Sequence, residues 1–376
     1  MEFCIGKKGE KREIIPFINE VFGEDFPLIL PKAYGDNQYY EEYHHLVKEN
    51  GTITAVIGDY EQDFFIQDML LKIGCVGSVS VAKKARGKGY MKLLMQKTEE
   101  SMRKNQVDLA ILGGLRNRYG FFGFEIGGYV YEFHFAEENI RHTIGWEHDG
   151  AVILKKVDEK DSILDDIYAL YRKQHLVWCR TREDFYVKSV TWNQEIVQIQ
   201  IDGAFGGYLI IKGNSIAELE LVNWDKNTAL RVIKACMVRN KDTSLHLQVQ
   251  GWQRKNLHTW YTVAESYSLR TGCSYKILNY PNTIKALLGL KKTYADLEDG
   301  ECVFEIKGIG SFLIQVKGNE IQVKETTGQK VDLILTEQEA VTVLFSPAGA
   351  FYLGKQKKCL KNWFPVEFSV SHLDEF

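Results

Sequence analysis

The stretch CVGSVSVAKKARGKGYMKLLMQKTEESMRKN, residues 75–105, constrains the fold more than any other part of the chain. Val76, Val79 and Val81 alternate with small partners, as a half-buried strand requires. From Met91 the period changes, and Met91, Leu94, Met95, Thr98 and Met102 fall on one face of a helix. Between strand and helix stand Arg86, Gly87, Lys88 and Gly89. Glycines let a backbone come close to an anion, and the unpaired amides of a helix start point at it. A strand–loop–helix unit with a basic glycine loop is therefore expected, and the loop is suited to a phosphate.

Two nucleotide designs fit poorly. A P-loop ends GK[ST], but Lys88 is followed by Gly89, so the hydroxyl that would hold magnesium is missing. A dinucleotide fingerprint needs GxGxxG, and after Gly87 and Gly89 the third position is Lys92. Asp108 lies at about the distance of the ribose-binding acid, yet it begins the next strand rather than ending it.

Around this unit the chain reads as alternating elements. GTITAVIGDY, DFFIQDMLLKIG and CVGSVSVA are predicted strands of a meander, VDLAILGGL a buried strand after the helix, RNRYGFFGFEIGG a turn and YVYEFHF a further strand. A second mixed segment follows, with helices at DSILDDIYALYRKQ and NTALRVIKACMVRN and strands at VQIQI, GGYLIIK, IAELELVNW and SLHLQVQ. Asn223, Trp224 and Asp225 precede its central helix where a glycine loop would stand, so a repeat of the first segment would lack the phosphate site. A third segment is predicted from about Leu287: closely spaced strands, then a helix that Thr336 and Glu339 open as a capping box.

The formal net charge of −3 provides no global basic field, so a nucleic-acid partner is not expected. No apolar run approaches the roughly 18 residues that span a bilayer, and the charged start MEFCIGKKGEKREIIPF has no signal-peptide core, so a cytoplasmic protein without a membrane partner is expected. The seven cysteines are scattered and form no CxxC pair, which reads as free thiols rather than disulfides or zinc ligands. The histidines, His44-His45 and His134 among them, show no ligand spacing, so no metal is expected.

Two motifs carry a resemblance. Arg86, Gly87, Lys88 and Gly89 after a strand look like the R-x-x-G-x-G/A pyrophosphate loop of the GNAT acetyltransferases. Tyr119-Gly120-Phe121-Phe122-Gly123-Phe124 resembles the family's Y-x-x-x-G-F, 33 residues after Arg86, the room that one helix and one strand need. The bulky Met91 departs from the small residue usual in the family. The three-part layout, however, resembles the enhanced intracellular survival (Eis) type, which tolerates that change. HHLVKENGTI, RTREDF and AELELVNWD are similar to its recurrent segments.

The resemblance implies an α/β (α+β) fold with two tandem GNAT-like mixed sheets and a sterol-carrier-like α+β domain. The expected boundaries are 1–135 for the acetyltransferase domain, 136–286 for a second GNAT-like domain without a phosphate loop, and 287–376 for the third domain and tail. It further implies acetyl-CoA as donor, no metal, an amine of a cationic small molecule or a lysine as acceptor, and a homo-oligomer. Val79, Ser80, Val81, Arg86, Gly87, Lys88, Gly89 and Tyr90 would hold the donor, with a backbone amide of residues 78–81 at the thioester oxygen. Tyr119 would protonate the departing thiolate, a phenol of pKa about 10 being matched to a thiol. In this branch the terminal carboxylate is the general base, and the sequence ends SHLDEF with Phe376 last. Asp374 and Glu375 are candidates to attract a cationic acceptor. The competing expectation is a non-catalytic acyl-CoA or lipid binding protein.

Overall fold

In the computed structural model the chain opens on a strand, β1 (Glu2–Ile5), and three helices, α1 (Lys11–Phe22), α2 (Phe26–Ile29) and α3 (Pro31–Tyr34). There follow β2 (His44–Glu49), β3 (Thr52–Ile66), β4 (Met69–Val81), α4 (Tyr90–Lys104), β5 (Leu109–Leu112), α5 (Arg116–Tyr119) and β6 (Glu125–Ile126). The structure describes residues 1–36, 38, 41–146, 150–318 and 320–376.

Where the sequence predicts three short strands before the glycine loop, the chain makes two long ones. β3 and β4 pair antiparallel from Ile66↔Met69 to Ala55↔Val81. The reversal is at Gln67, which takes φ 53°. Gln-Asp has none of the glycine that normally marks a two-residue hairpin, so the turn had no sequence signal. α4 forms where the helical period predicts it and buries Leu94, Met95, Thr98 and Met102, with Tyr90 at the head of that face. Met91 is only half-buried. These side chains share a core with Val47, Ala55, Ile57, Val76, Ala110 and Leu112 of the sheet. β4 and β5 are parallel, and α4 is the crossover between them.

The middle of the chain builds its own sheet. Its elements are β7 (Val130–Ala136), α6 (Glu137–Ile144), β8 (Val152–Lys156), α7 (Ile163–Gln174), β9 (Val177–Trp178), α8 (Phe185–Ser189) and β10 (Glu195–Ile201). They continue with β11 (Ala204–Lys212), β12 (Ser215–Leu221), α9 (Lys226–Asn240), β13 (Ser244–Gln250), α10 (Arg254–Tyr261) and β14 (Ser266–Arg270). The strand order is β14-β7-β13-β12-β11-β10-β8. An antiparallel meander leads to the parallel pair β12 and β13, which α9 bridges. That is the plan of the first sheet repeated. Its core joins Val197, Leu209, Leu219, Ile233, Leu245 and Trp260.

The remaining elements are β15 (Ser274–Ile277), α11 (Tyr280–Lys292), β16 (Gly300–Ile306), β17 (Gly310–Lys317), β18 (Glu320–Thr326), β19 (Leu333–Leu335), α12 (Glu337–Phe345), α13 (Gly349–Leu353) and α14 (Lys358–Trp363). β15 returns to the first sheet, between β5 and β6, giving the order β1-β2-β3-β4-β5-β15-β6. The last strands form a separate sheet, β18-β17-β16-β19. α12 starts with the capping box read from the sequence, Thr336 accepting from the Glu339 amide and Glu339 from that of Thr336. The architecture is mixed α/β, in two compact units: Met1–Gly128 with Gly272–Phe376, and Tyr129–Thr271. Among the described residues no helix is long and apolar enough to cross a membrane.

Candidate functional site

The first sheet opens beside the glycine loop. Parallel pairing of β4 with β5 runs from Ile73↔Leu109 to Val76↔Leu112 and stops there. β4 continues to Val81 with β3 as its partner. Val56 pairs with Ser80 and Gly58 with Gly77, so Ile57 alone faces both Ser78 and Val79. This is a β-bulge, and Ser78 takes φ 52° in it. The bend turns the end of β4 away from β5 and exposes its backbone there. A cleft of about 650 Å³ results, lined by Val79, Ser80 and Val81 on one side and by Arg86, Gly87, Gly89 and Tyr90 on the other.

The loop is prepared for an anion. Gly87 and Gly89 take φ 81° and 82°, a conformation that disfavours any side chain. Gly89 is the N-cap of α4, which has neither a side-chain cap nor an acid in its first turn. The helix amides and dipole are thus left to a ligand. Arg118, from α5, also lines the cleft. Lys88 does not line it. Its ammonium holds Glu49 at 2.8 and 3.0 Å, and the Tyr90 hydroxyl donates to the same carboxylate. Lys88, then Tyr90, hold Glu49 below the usual carboxylate range.

The corresponding helix of the second sheet is closed to anions. Asp225 caps α9, its carboxylate accepting from the Thr228 amide at 3.0 Å. That hydrogen bond holds Asp225 below its ordinary pKa, and a charged carboxylate occupies the place a phosphate would need.

The residues before the C-terminus thread through the first unit. The Val366 amide donates to the Leu344 carbonyl at 2.8 Å, and the Val370 amide donates to the Tyr275 hydroxyl at 3.2 Å. Lys32, 1% exposed, donates to the Leu373 carbonyl at 2.6 Å. Gln62 donates to the Asp374 carbonyl at 2.8 Å. Phe376, the last residue of the sequence, stacks on Tyr60 with 4.4 Å between ring centroids, and the Lys32 ammonium lies 4.3 Å from its ring. Its backbone carbonyl lies against Gly77: a Cβ there would be 2.6 Å from the Phe376 oxygen. Asp374 is buried and Glu375 partly so. Burial raises the Glu375 carboxyl, against a hydrogen bond with Cys273 that lowers it. Neither residue is a solvated acidic tail.

Tyr119 is a core residue, 5% exposed, packed with Leu94, Ala110 and Phe124. Its ring lies under Gly114, where a Cβ would be 2.7 Å away. Burial raises its pKa, and a hydrogen bond with Arg118 opposes this. The phenol therefore stands beside the guanidinium that lines the cleft.

The side chains of a further group at this site have no assigned role in the sequence, where His44 reads only as a histidine without ligand spacing and Ser78 only for its backbone. Tyr34, His44, Tyr60 and Ser78 come from α3, β2, β3 and β4 into one buried group, with Tyr34 Oη at 2.9 Å from His44 Nε2, 2.5 Å from Tyr60 Oη and 2.7 Å from Ser78 Oγ. They are scattered over 45 positions without a motif. The one signal was the rarity of such polar side chains in a buried β-face. Among the described residues no cluster of three or more His, Cys, Asp or Glu could hold a metal ion.

Comparison with known proteins gives this geometry a context. Residues 5–127 match the family described as acetyltransferase (GNAT) domain. No curated protein sequence matches the chain. A GCN5-related N-acetyltransferase from Kribbella flavida superposes with TM-score 0.71 at 14% identity, over 100% of this chain and 98% of that one. One from Anabaena variabilis gives 0.69 at 14% identity, over 100% of both. Eis1 from Mycobacterium abscessus gives 0.65 at 10% identity, again over 100% of both chains. At such identities the likeness establishes the fold. Residues 5–127 thus match an acetyltransferase (GNAT) domain, in a chain that shares its fold with GCN5-related N-acetyltransferases.

Proposed function

We infer that the protein is an acetyl-CoA-dependent N-acetyltransferase of the Eis type. It would transfer the acetyl group to an amine of a cationic small molecule or a lysine side chain, by direct attack in a ternary complex. The observation that carries this reading is the opening between β4 and β5 with the glycine loop and the uncapped start of α4 at its mouth. Such a site suits a diphosphate joined to a narrow chain that enters a split sheet.

In this reading Arg86 and the backbone of Gly87, Lys88, Gly89 and Tyr90 hold the pyrophosphate. Lys88 contributes its amide, its ammonium being engaged by Glu49. A backbone amide of residues 78–81, freed by the bulge, stabilises the oxyanion of the tetrahedral intermediate. Tyr119 protonates the thiolate, and its raised pKa keeps the phenol charged with a proton. The Phe376 carboxyl group, beside the bulge at Gly77, takes a proton from the acceptor ammonium.

The likeness to Eis1 over the full chain supports the Eis type, with residues after 287 as its sterol-carrier-like domain, and a homo-oligomer follows from the same resemblance. Seven free cysteines suit a reducing, cytoplasmic setting.

The test is thiol release from acetyl-CoA with a panel of aminoglycosides, polyamines and lysine peptides. Turnover with one class names the acceptor. Binding of acetyl-CoA without turnover on any amine would favour a non-catalytic acyl-CoA or lipid binding protein.

A further inference from the structure

Behind the bulge lies a group of polar side chains that acetyl transfer, as described, does not use. His44 is 2% exposed, Tyr34 2%, Tyr60 1% and Ser78 9%. Polar groups buried this deeply are costly unless satisfied, and here they are joined in one hydrogen-bonded group. His44 Nδ1 lies 3.3 Å from the Glu41 carbonyl, an acceptor only, so Nδ1 carries the hydrogen and Nε2 of the neutral ring accepts. Tyr34 Oη, at 2.9 Å, and Tyr60 Oη, at 3.0 Å, both reach that Nε2, whose single lone pair accepts from one of them at a time. Tyr34 Oη also lies 2.7 Å from Ser78 Oγ and 2.5 Å from Tyr60 Oη, and in the arrangement where it donates to Nε2 both hydroxyls donate to it. The hydroxyls therefore form an unbroken chain from Ser78 to a basic nitrogen. Ser78 is the bulge residue between Gly77, where the Phe376 carbonyl rests, and Val79, which lines the cleft.

We propose that Ser78, Tyr34 and His44 form a proton path from the acetyl-transfer cleft to a buried imidazole, giving this chain a second proton acceptor beside the Phe376 carboxyl group. The proposal rests on the acetyl-transfer reading above. Two N–H bonds of the acceptor ammonium break in each transfer, one to free the lone pair and one as the amide forms. Phe376 takes the first proton. For the second, the nitrogen gives its proton to Ser78 Oγ, Ser78 passes its own to Tyr34 Oη, and Tyr34 passes its own to His44 Nε2. Each oxygen loses one hydrogen and gains one, and the imidazole becomes imidazolium. The thiolate takes a proton from Tyr119, which recovers one from solvent. When Phe376 and His44 release theirs, one proton per turnover is left over, as the reaction requires.

Tyr34 and His44 act through Ser78 and are positioning residues in this sense. Burial pushes the Tyr34 phenol up to about 12, so it stays a hydroxyl over the working range and can pass a proton on. Tyr34 from α3 and Tyr60 from β3 face the imidazole with titratable hydroxyls, and Glu41 in the turn before β2 meets it through its backbone carbonyl. Phe376 lies one ring further, stacked on Tyr60, with the Lys32 ammonium over the Phe376 ring.

The test compares the full-length wild type with Tyr34→Phe, His44→Gln and Ser78→Ala, using the best amine of the panel and following thiol release from pH 5.5 to 9.5. Tyr34→Phe keeps the ring and removes only the hub hydroxyl. It is expected to lower kcat at least about tenfold, leave KM for acetyl-CoA within about twofold, and remove one ionisation from the pH profile. His44→Gln is expected to do the same. Circular dichroism and melting temperature check that each variant folds. Nitrogen NMR of the labelled imidazole provides a readout independent of turnover: Nε2 should be the accepting nitrogen and should shift in Tyr34→Phe. An active wild type whose Tyr34→Phe and His44→Gln variants keep kcat and pH profile overturns the path alone, as does an Nε2–H tautomer. A wild type inert with every amine overturns both the acetyl-transfer reading and the path.

Discussion

Tyr60 and Phe376 stack almost parallel, 4.4 Å apart at 17°, although 316 positions separate them in the chain. The stack holds Phe376 against Gly77, beside the bulge in β4. Lys32 and Gln62 fasten Leu373 and Asp374, just before Phe376, through their carbonyls.

Substituting Gly77 tests what this docking does. An alanine Cβ would lie 2.6 Å from the Phe376 oxygen and 2.8 Å from its carbonyl carbon, so the tail must move. Gly77→Ala is expected to lower kcat on the amine acceptor by about 10- to 100-fold with little change in acetyl-CoA affinity. Deleting Phe376, or adding residues after it, should match this, and combining deletion with Gly77→Ala should add little. Full turnover in either single variant would remove the carboxyl group from the mechanism.

The phosphate loop makes a separable prediction. Gly89 caps α4 at φ 82°, and alanine there costs roughly 1–2 kcal/mol of backbone strain. Gly89→Ala is expected to weaken CoA binding about 5- to 30-fold in calorimetry. Its kcat at saturating donor should change far less. Unaltered affinity would mean that the loop does not hold the donor in this geometry.

Tyr119→Phe removes one oxygen from a packed ring, so the melting temperature should barely change. Turnover is expected to fall by about 10- to 100-fold while acetyl-CoA still binds. Burial raises the phenol and Arg118 lowers it less, so the pKa stays above its ordinary 10.0. An alkaline limb of kcat belonging to Tyr119 should therefore begin above pH 10 and be absent from the variant. A variant as active as wild type would leave Tyr119 as a core residue only.

Alkaline stability follows from the buried thiols. Burial pushes Cys75 and Cys236 from 9.0 up to about 12. The folded chain thus keeps these protons at a pH where the unfolded chain gives them up. Their contribution is complete below about pH 9 and is lost as pH rises toward 12, at up to about 1.4 kcal/mol per pH unit per thiol. Urea midpoints at pH 8 and 10.5 should show the fall, and Cys236→Ala should make it shallower. Equal slopes in the two proteins would contradict this account.

The helix after the glycine loop was legible because a local period dictates it: Leu94, Met95, Thr98 and Met102 recur on one face and bury together. The capping box at Thr336 and Glu339 was legible for the same reason, since three residues suffice to make it. The hairpin at Gln67 was not, because its left-handed turn uses a residue with no preference for it. Nor was the return of β15 to the first sheet, where Tyr275 pairs with Ile111 across 164 positions.

The sequence by itself determined the strand, the glycine loop and the helix, since neighbours along the chain set period, φ and unpaired amides. It also supplied Arg86 and Tyr119 at a spacing that one helix and one strand require. Only the tertiary structure decided that β4 parts from β5 after Val76, that Lys88 turns to Glu49, and that Phe376 rests on Gly77. It alone joined Ser78, Tyr34, Tyr60 and His44. Pairings of that kind depend on which side chains meet once strands and helices pack, and residues distant in the chain leave no local trace of it.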